Sequence, residues 1–112
     1  MQLNDQVWYY TTINSMVYGP VSMAEILNLV NSGRFQLQTL VGLSADMSKM
    51  IPLITLIKAA AQQHSHIQER SPRGKTLMEL AQEAHPYVDE VIWWAQRIGS
   101  FVATMRMILQ RK

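Results

Sequence analysis

The side chains of this chain best suited to chemistry are its three histidines. His64 and His66 lie two positions apart, and His85 follows further along the chain. Side chains at i and i+2 point to different faces of a helix, and no carboxylate stands at ligand spacing to complete a metal site. Ser65 adjoins both histidines, so neither can reach it as a general base. We expect neither a metal site nor a serine nucleophile here.

The carboxylates form two close pairs, Glu79 with Glu83 and Asp89 with Glu90. Helical surfaces carry such pairs routinely, and no recognisable pocket motif surrounds these. The chain also lacks the glycine-rich loops that hold phosphates or dinucleotides and the nucleophile elbow of hydrolases. The sequence therefore predicts a non-enzymatic protein with no catalytic residue, no metal and no cofactor.

Composition and charge narrow the class of protein further. Of the 112 residues, 48% are hydrophobic and 16% are charged, which is typical of a globular domain and excludes wholesale disorder. Ten basic residues against eight acidic ones give a net charge of +2, and no contiguous basic run exists to hold a phosphate backbone. We therefore expect no nucleic acid among the partners.

The sequence also bears on compartment. Cysteine is absent, which excludes disulfides, thiolate metal sites and a cysteine nucleophile. No run of uncharged apolar residues is long enough to span a bilayer. The N-terminal residues lack the basic and apolar regions of a signal peptide. We expect a cytoplasmic protein.

The elements that would position any functional side chain fall into two halves, separated by a predicted linker at residues 70–75. Proline and glycine interrupt the apolar periodicity there. In the first half, residues 7–13 are rich in aromatic and β-branched side chains and predict a strand. Residues 16–18 predict the returning strand of a hairpin, which we expect Gly19-Pro20 to end.

Two helices and a further strand are predicted in the same half. Ser22 followed by Glu25 is a capping box, and Gly33 stands where the helix needs a left-handed residue at its end. A short strand at residues 39–43 precedes a second helix over residues 53–69. The sequence thus predicts an α+β fold in which a small sheet packs on a short helix and C-terminal helices follow. The apolar face of the first helix comprises Met23, Ile26, Leu27 and Val30.

The second half, residues 76–112, has the pattern of amphipathic helices. Thr76 with Glu79 forms another capping box, and a longer helix begins at Pro86. An apolar stripe then runs along this helix, and a lone helix cannot bury it. The stripe must pack on the first half, on a second copy or on another protein, and we expect it to mediate oligomerisation or docking. Its predicted docking residues are Val88, Val91, Trp94, Ile98, Phe101, Val102, Met105 and Leu109.

Several short motifs of the first half stand at the intervals of a known family. They are Trp8-x-Tyr10, Gly19-Pro20, the helix residues Ile26 and Leu29, Gly33-Arg34-Phe35, and Thr39-Leu40-Val41. At this spacing, without an insertion, residues 7–55 resemble the GYF domain, and most of all its bacterial GYF-like variant. The resemblance implies a small adaptor fold. The second half resembles no family.

The resemblance implies partner binding through aromatic rings. GYF domains bind proline-rich peptides by laying a polyproline II ligand across clustered rings. Val21, Leu29 and Arg34 stand where the family has aromatic side chains, which reduces the surface for proline rings. An alternative interpretation is that the retained aromatic residues, above all Trp8, form the domain core. The predicted partner-binding residues are Trp8, Tyr10, Tyr18, Gly19, Pro20, Arg34 and Phe35.

These observations favour a non-enzymatic adaptor. Residues 1–69 would form a GYF-like interaction domain for a peptide or protein partner, with proline-rich peptides as one candidate, and residues 76–112 would make a homo-oligomer or dock. The alternative is a membrane-surface signalling fragment anchored by the basic amphipathic C-terminal helix. Asp89 and Glu90 at the start of that helix argue against the membrane. Its basic residues are Arg97, Arg106, Arg111 and Lys112.

Overall fold

The computed structural model of the chain describes residues 2–12, 14–83 and 86–111. Its strands are β1 (Gln6–Thr11), β2 (Val17–Ser22), β3 (Leu40–Gly42) and β4 (Ile51–Pro52), and a 3₁₀ turn spans Met47–Lys49. Its helices are α1 (Met23–Asn31), α2 (Leu53–Gln63), α3 (Leu77–Gln82), α4 (Val88–Arg97) and α5 (Phe101–Gln110). None of these described helices is long and apolar enough to cross a bilayer. The strands form an antiparallel sheet in the order β2-β1-β3-β4, so the predicted α+β fold is confirmed.

The hairpin of β1 and β2 is longer than the sequence predicts on its returning side. Tyr10 on β1 lies opposite Tyr18 on β2. The prediction that Gly19-Pro20 ends the strand is wrong, because β2 continues through both residues to Ser22. β2 lies at the edge of the sheet, where one row of N–H groups has no neighbouring strand and proline is tolerated. Ile13, at the end of the predicted first strand, lies outside the described residues.

The helices of the first half follow their predicted signals closely at the start. Ser22 Oγ accepts a hydrogen bond from the Glu25 amide at 3.1 Å, and Gly33 beyond α1 has a φ of +81°. α2 begins at its predicted residue but ends at Gln63, short of residue 69. Ala61 is the last buried residue of α2, and the next positions at helical spacing are polar. The chain leaves the helix at His64, and Ile67 in the segment that follows still packs against the core.

The long helix predicted over residues 86–109 is broken into two. α4 ends at Arg97, and Gly99-Ser100 stand just before α5. The break lets α4 pack against α1 while α5 packs against α2. Glycine resists helix formation more than any residue except proline, so the interruption falls where the helix is weakest.

The apolar stripe of α4 and α5 lies inside the molecule. Trp94, Phe101 and Met105 have no exposed surface, and they share one core with Trp8 and Leu56 of the first half. The prediction that this stripe docks on a second copy or a partner is therefore wrong, because the first half of the same chain covers it. The apolar face that membrane anchoring would need is buried in the same way. The buried members are Val91, Trp94, Phe101, Val102, Met105 and Leu109, and the half-buried members are Val88 and Ile98.

Residues 70–75, the predicted linker, form a closed turn. The Ser71 amide donates to the Lys75 carbonyl and the Gly74 amide donates to the Ser71 carbonyl, both at 2.8 Å. Ser71 is buried, and Gly74 takes a φ of +79°, which favours glycine. The segment therefore joins two parts of one core rather than two separately packed units.

Ion pairs hold this turn to the helices that follow it. Arg73 lies 2.8 Å from Asp89 and 3.6 Å from Glu90, whose side chain is buried. The hydrogen bond and charge of Arg73 lower the pKa of the Asp89 carboxyl. Every ion pair between described residues lies within residues 69–97, and we call this group the charged clasp. Its other pairs are Arg70 with Glu79, Lys75 with Glu83, and Arg97 with Glu69.

Candidate functional site

Three aromatic rings stand side by side on the sheet of the first half. The rings of Tyr10 and Tyr18 are stacked with centroids 5.7 Å apart and planes 22° apart. Phe35 stacks on the other side of Tyr10, with centroids 5.1 Å apart and planes 18° apart. We call Tyr18, Tyr10 and Phe35 the aromatic row. Tyr18 is 42% exposed and the other two rings are half-buried, so the row faces solvent.

The local sequence explains how these rings meet. Tyr10 and Tyr18 are cross-strand partners, whose side chains lie on the same face of the hairpin. Phe35 arrives from the end of α1, where Gly33 turns the chain in a left-handed conformation. The Arg34 amide then bonds to the Leu29 carbonyl at 3.0 Å, which closes the helix end.

The stacking determines what the aromatic row can contact. Its centroid distances are those of offset rather than eclipsed rings. Tyr10 stacks with both of the other rings and is itself half-buried, so Tyr18 is the most exposed ring that the row offers to a ligand. The Tyr18 hydroxyl lies 3.8 Å from the sulfur of Met16, which is 54% exposed and extends the apolar surface. The row thus combines apolar ring surface with hydrogen-bonding groups.

A cleft of about 520 Å³ adjoins the aromatic row at Phe35. Its lining is uncharged except for Arg34, and the polar groups are hydroxyls and amides. The Thr12 hydroxyl oxygen is buried and has no hydrogen-bond partner among the described residues. The donors that the cleft offers to a bound group are therefore the Thr39 hydroxyl and the side-chain amides of Gln36 and Gln38. Its lining residues are Thr11, Thr12, Gly33, Arg34, Phe35, Gln36, Gln38, Thr39 and Leu40.

The structure brings some of the predicted partner-binding residues together and separates others. Tyr10, Tyr18 and Phe35 meet in the aromatic row, and Arg34 lines the adjoining cleft. The prediction that Trp8 contacts a partner is wrong, since this side chain has no exposed surface. The alternative interpretation of Trp8 as a core residue is the correct one.

Gly19 and Pro20 are exposed on β2 next to Tyr18, outside the lining of the cleft. Gly19 has a backbone role: its φ is +143°, and an added Cβ would stand 2.7 Å from the Trp8 carbonyl oxygen. The same Cβ would also stand 2.7 Å from the ring of Tyr9. This glycine therefore lets the two strands of the hairpin approach each other.

The polar part of the cleft has no signal in the sequence. Thr12, Gln36 and Gln38 carry no motif, and only the turn after α1 brings them opposite the end of β1. Met16 stands at the start of the predicted returning strand, but it precedes β2 and is exposed. Methionine is common at adaptable binding surfaces, and this is the one signal in the sequence for its place here.

The histidines lie far from the aromatic row along the chain. His64 Nε2 lies 2.9 Å from the Thr104 hydroxyl, and its ring stacks on Phe101 with centroids 5.9 Å apart. Burial, and to a lesser extent the charge of His66, lower the pKa of His64. His85 lies outside the described residues. Within the described ranges, no group of three side chains could hold a metal ion.

Comparison of the chain with family models, curated proteins and solved structures finds no match. The resemblance to GYF domains thus depends on the spacing of the motifs in the first half. We therefore infer the function from the geometry of the aromatic row and the cleft.

Proposed function

We propose that this protein is a non-enzymatic interaction module of the GYF-like type, which binds an extended peptide segment of a partner protein along the aromatic row. The observation that carries the proposal is the contact of three rings that remain open to solvent beside a cleft. Aromatic rings in a cluster supply most of the binding energy in many protein interfaces. Nothing in the lining of the cleft supplies a general base, because Arg34 is its one ionised side chain.

The spacing of the rings fits an extended ligand. Successive centroids lie 5.7 Å and 5.1 Å apart. Two residues of a polyproline II segment advance about 6.2 Å, and two residues of a strand advance about 6.6 Å. In a strand-like peptide, alternate side chains lie on one face and can contact successive rings. In a polyproline II segment, which has three residues per turn, residues three apart lie on one face about 9.3 Å from each other and can contact the two ends of the row.

Proline is the side chain that suits this row best. A proline-containing segment is already extended, so it loses little conformational entropy when it binds. The row keeps two rings of the GYF pattern, Tyr10 and Phe35, and gains Tyr18 on the neighbouring strand. These three rings supply the aromatic surface that is missing at the positions of Val21 and Leu29, where the family has aromatic side chains.

The proposal can be tested with a library of random displayed peptides selected against the intact chain. We expect enriched peptides to bind the wild-type chain and to bind Tyr18→Ala and Phe35→Ala roughly tenfold more weakly. Tyr87→Ala is the matched control, because Tyr87 is 45% exposed, contacts Arg73 of the charged clasp, and belongs neither to the aromatic row nor to the lining of the cleft. Thermal unfolding of each variant confirms that it remains folded.

Two results would contradict the proposal. One is a selection in which no peptide is enriched over an unrelated carrier protein. The other is a set of enriched peptides whose affinity does not depend on the row in particular. Such peptides would bind Tyr18→Ala and Phe35→Ala as tightly as the wild-type chain, or would bind Tyr87→Ala as weakly as they bind those two variants.

A further inference from the structure

Arg34, beside the aromatic row, differs from the arginines of the charged clasp because it has no ion-pair partner among the described residues. Arg34 is exposed, and no carboxylate of the described residues lies within ion-pair distance of its guanidinium. The arginines of the charged clasp, Arg70, Arg73 and Arg97, all have a carboxylate partner. Arg34 therefore keeps its full charge available at the edge of the cleft.

The other polar groups of the cleft are also able to donate hydrogen bonds to an anion. Thr39 contributes a hydroxyl, and Gln36 and Gln38 contribute side-chain amides. The Thr12 hydroxyl oxygen is buried and is not counted among these donors. A carboxylate in this cleft would meet donors and a cation, whereas a lysine or arginine would meet the charge of Arg34.

The surface continues beyond Arg34. This residue also lines a second groove of about 550 Å³ that runs along α1 past Ser22, Asn28 and Ser32. Glu25 lines the same groove but lies beyond ion-pair distance from Arg34. A peptide that follows the row can therefore pass Arg34 and continue, so the group it presents there is a side chain within its length.

We infer that the peptide bound along the aromatic row carries an aspartate or glutamate side chain that enters the cleft and pairs with Arg34. The inference rests on the proposed function and adds the charge of the partner to it. The aromatic row binds the apolar part of the peptide, and Arg34 selects an acidic residue next to it. Charge pairing of this kind contributes more to selectivity than to total affinity.

The experiment uses three pools of short, end-capped peptides that combine proline and apolar residues at random. The pools are identical except for one fixed central residue, which is Asp, Asn or Lys. Binding of each pool to the intact chain is measured by fluorescence anisotropy at low and high salt. We expect the wild-type chain to bind the Asp pool about fivefold more tightly than the Asn pool, with the Lys pool weakest.

Variants of Arg34 test whether this side chain is the cause. Arg34→Gln should bind the Asp and Asn pools equally, Arg34→Lys should keep part of the preference, and Arg34→Glu should favour the Lys pool. Arg106→Gln, an exposed arginine of α5, is the matched control and should keep the full preference. High salt should reduce the preference of the wild-type chain.

The outcomes separate this inference from the function on which it rests. If the Asp and Asn pools bind alike, or if the preference survives in Arg34→Gln, the acidic selectivity is wrong. The proposed function would still stand in that case, provided that both pools bind more weakly to Tyr18→Ala. If no pool binds the wild-type chain, the proposed function and this inference are both wrong.

Discussion

We call residues 1–70, which carry the aromatic row, the front of the molecule, and residues 71–112, which carry most of the charged clasp, its back. These two sites differ in whether their arginines are paired. At the back, the Arg73 guanidinium lies 4.5 Å from the centre of the Tyr87 ring and also pairs with Asp89. At the front, Tyr18 and Met16 are exposed, and Arg34 has no carboxylate partner among the described residues. The arginines of the clasp are paired with carboxylates, whereas the arginine beside the aromatic row is paired with none that the structure describes.

This difference indicates where a partner can bind. A side chain that already has a partner must break that contact before it can bind another protein. An ion pair at the surface contributes little to the free energy of unfolding. In the clasp, the main effect of the ion pairs is to fix the position of the turn of residues 70–75. Glu90 is buried beside Arg73, and a buried carboxylate needs such a cation. The clasp therefore serves the fold, and the front remains for recognition.

The largest effect is expected from removing the back altogether. Residues 1–70 alone would lose half of the shared core, including Leu80, Trp94 and Phe101. Each large apolar side chain contributes about 1.5 to 3 kcal/mol when buried, and a small domain is stable by only about 5 to 15 kcal/mol in total. We expect the fragment to show no cooperative thermal transition by circular dichroism.

The control for this deletion is a chain that ends at Gln110, the last residue of α5, which keeps every core residue and should unfold like the full chain. A cooperative transition in residues 1–70 close to that of the intact chain would contradict the shared core. It would instead support the division into two independent units that the composition of residues 70–75 suggests.

The next effect compares a glycine of the front with one of the back. Gly19→Ala places a Cβ 2.7 Å from the Trp8 carbonyl oxygen at a φ of +143°, and we expect a loss of about 2 kcal/mol or more in the free energy of unfolding. Gly99→Ala meets no atom within 4 Å and should be nearly neutral. Urea unfolding followed by circular dichroism measures both. Equal effects for the two substitutions would show that the hairpin does not depend on Gly19.

The local signals of the chain predicted the elements well where one side chain bonds to the backbone next to it. The N-cap hydrogen bond of each predicted capping box forms: Ser22 Oγ accepts from the Glu25 amide at 3.1 Å, and Thr76 Oγ1 accepts from the Glu79 amide at 3.2 Å. The prediction of one continuous helix over residues 86–109 is wrong because of the tertiary structure. Its apolar period runs unbroken through Gly99, but two separate surfaces, on α1 and α2, have to be covered.

The candidate site was predictable only in part for the same reason. A tyrosine at a strand position is visible in the sequence, and so Tyr10 and Tyr18 were predicted. Which of two alternate aromatic residues faces the core depends on packing, and Trp8 proved to be the buried one. The cleft exists because the chain after α1 turns back towards β1, and no residue type signals that turn's final position.

The smallest effect concerns the seam where the two regions meet. His64 directly follows α2, in the first half, and contacts Thr104 and Phe101 of α5 in the second. Burial and the charge of His66 lower the pKa of His64 from its ordinary value of 6.5. The unfolded chain therefore binds a proton at this side chain more readily than the folded chain does. The contribution of His64 to the free energy of unfolding is fully present well above pH 6.5. It decreases as the pH falls through 6.5 towards the lower pKa of the folded chain.

We expect the midpoint of thermal unfolding to decrease as the pH is lowered from 7.5 to 5.5, and His64→Gln to reduce this dependence. Gln keeps a hydrogen-bonding group near Thr104 but carries no proton-dependent charge. His66→Gln is the matched control: it removes only the smaller cause of the shift, so most of the dependence should remain. If His64→Gln shows the same pH dependence as the wild-type chain, the contact of His64 with α5 does not sense protonation, and the seam is held by its apolar side chains alone.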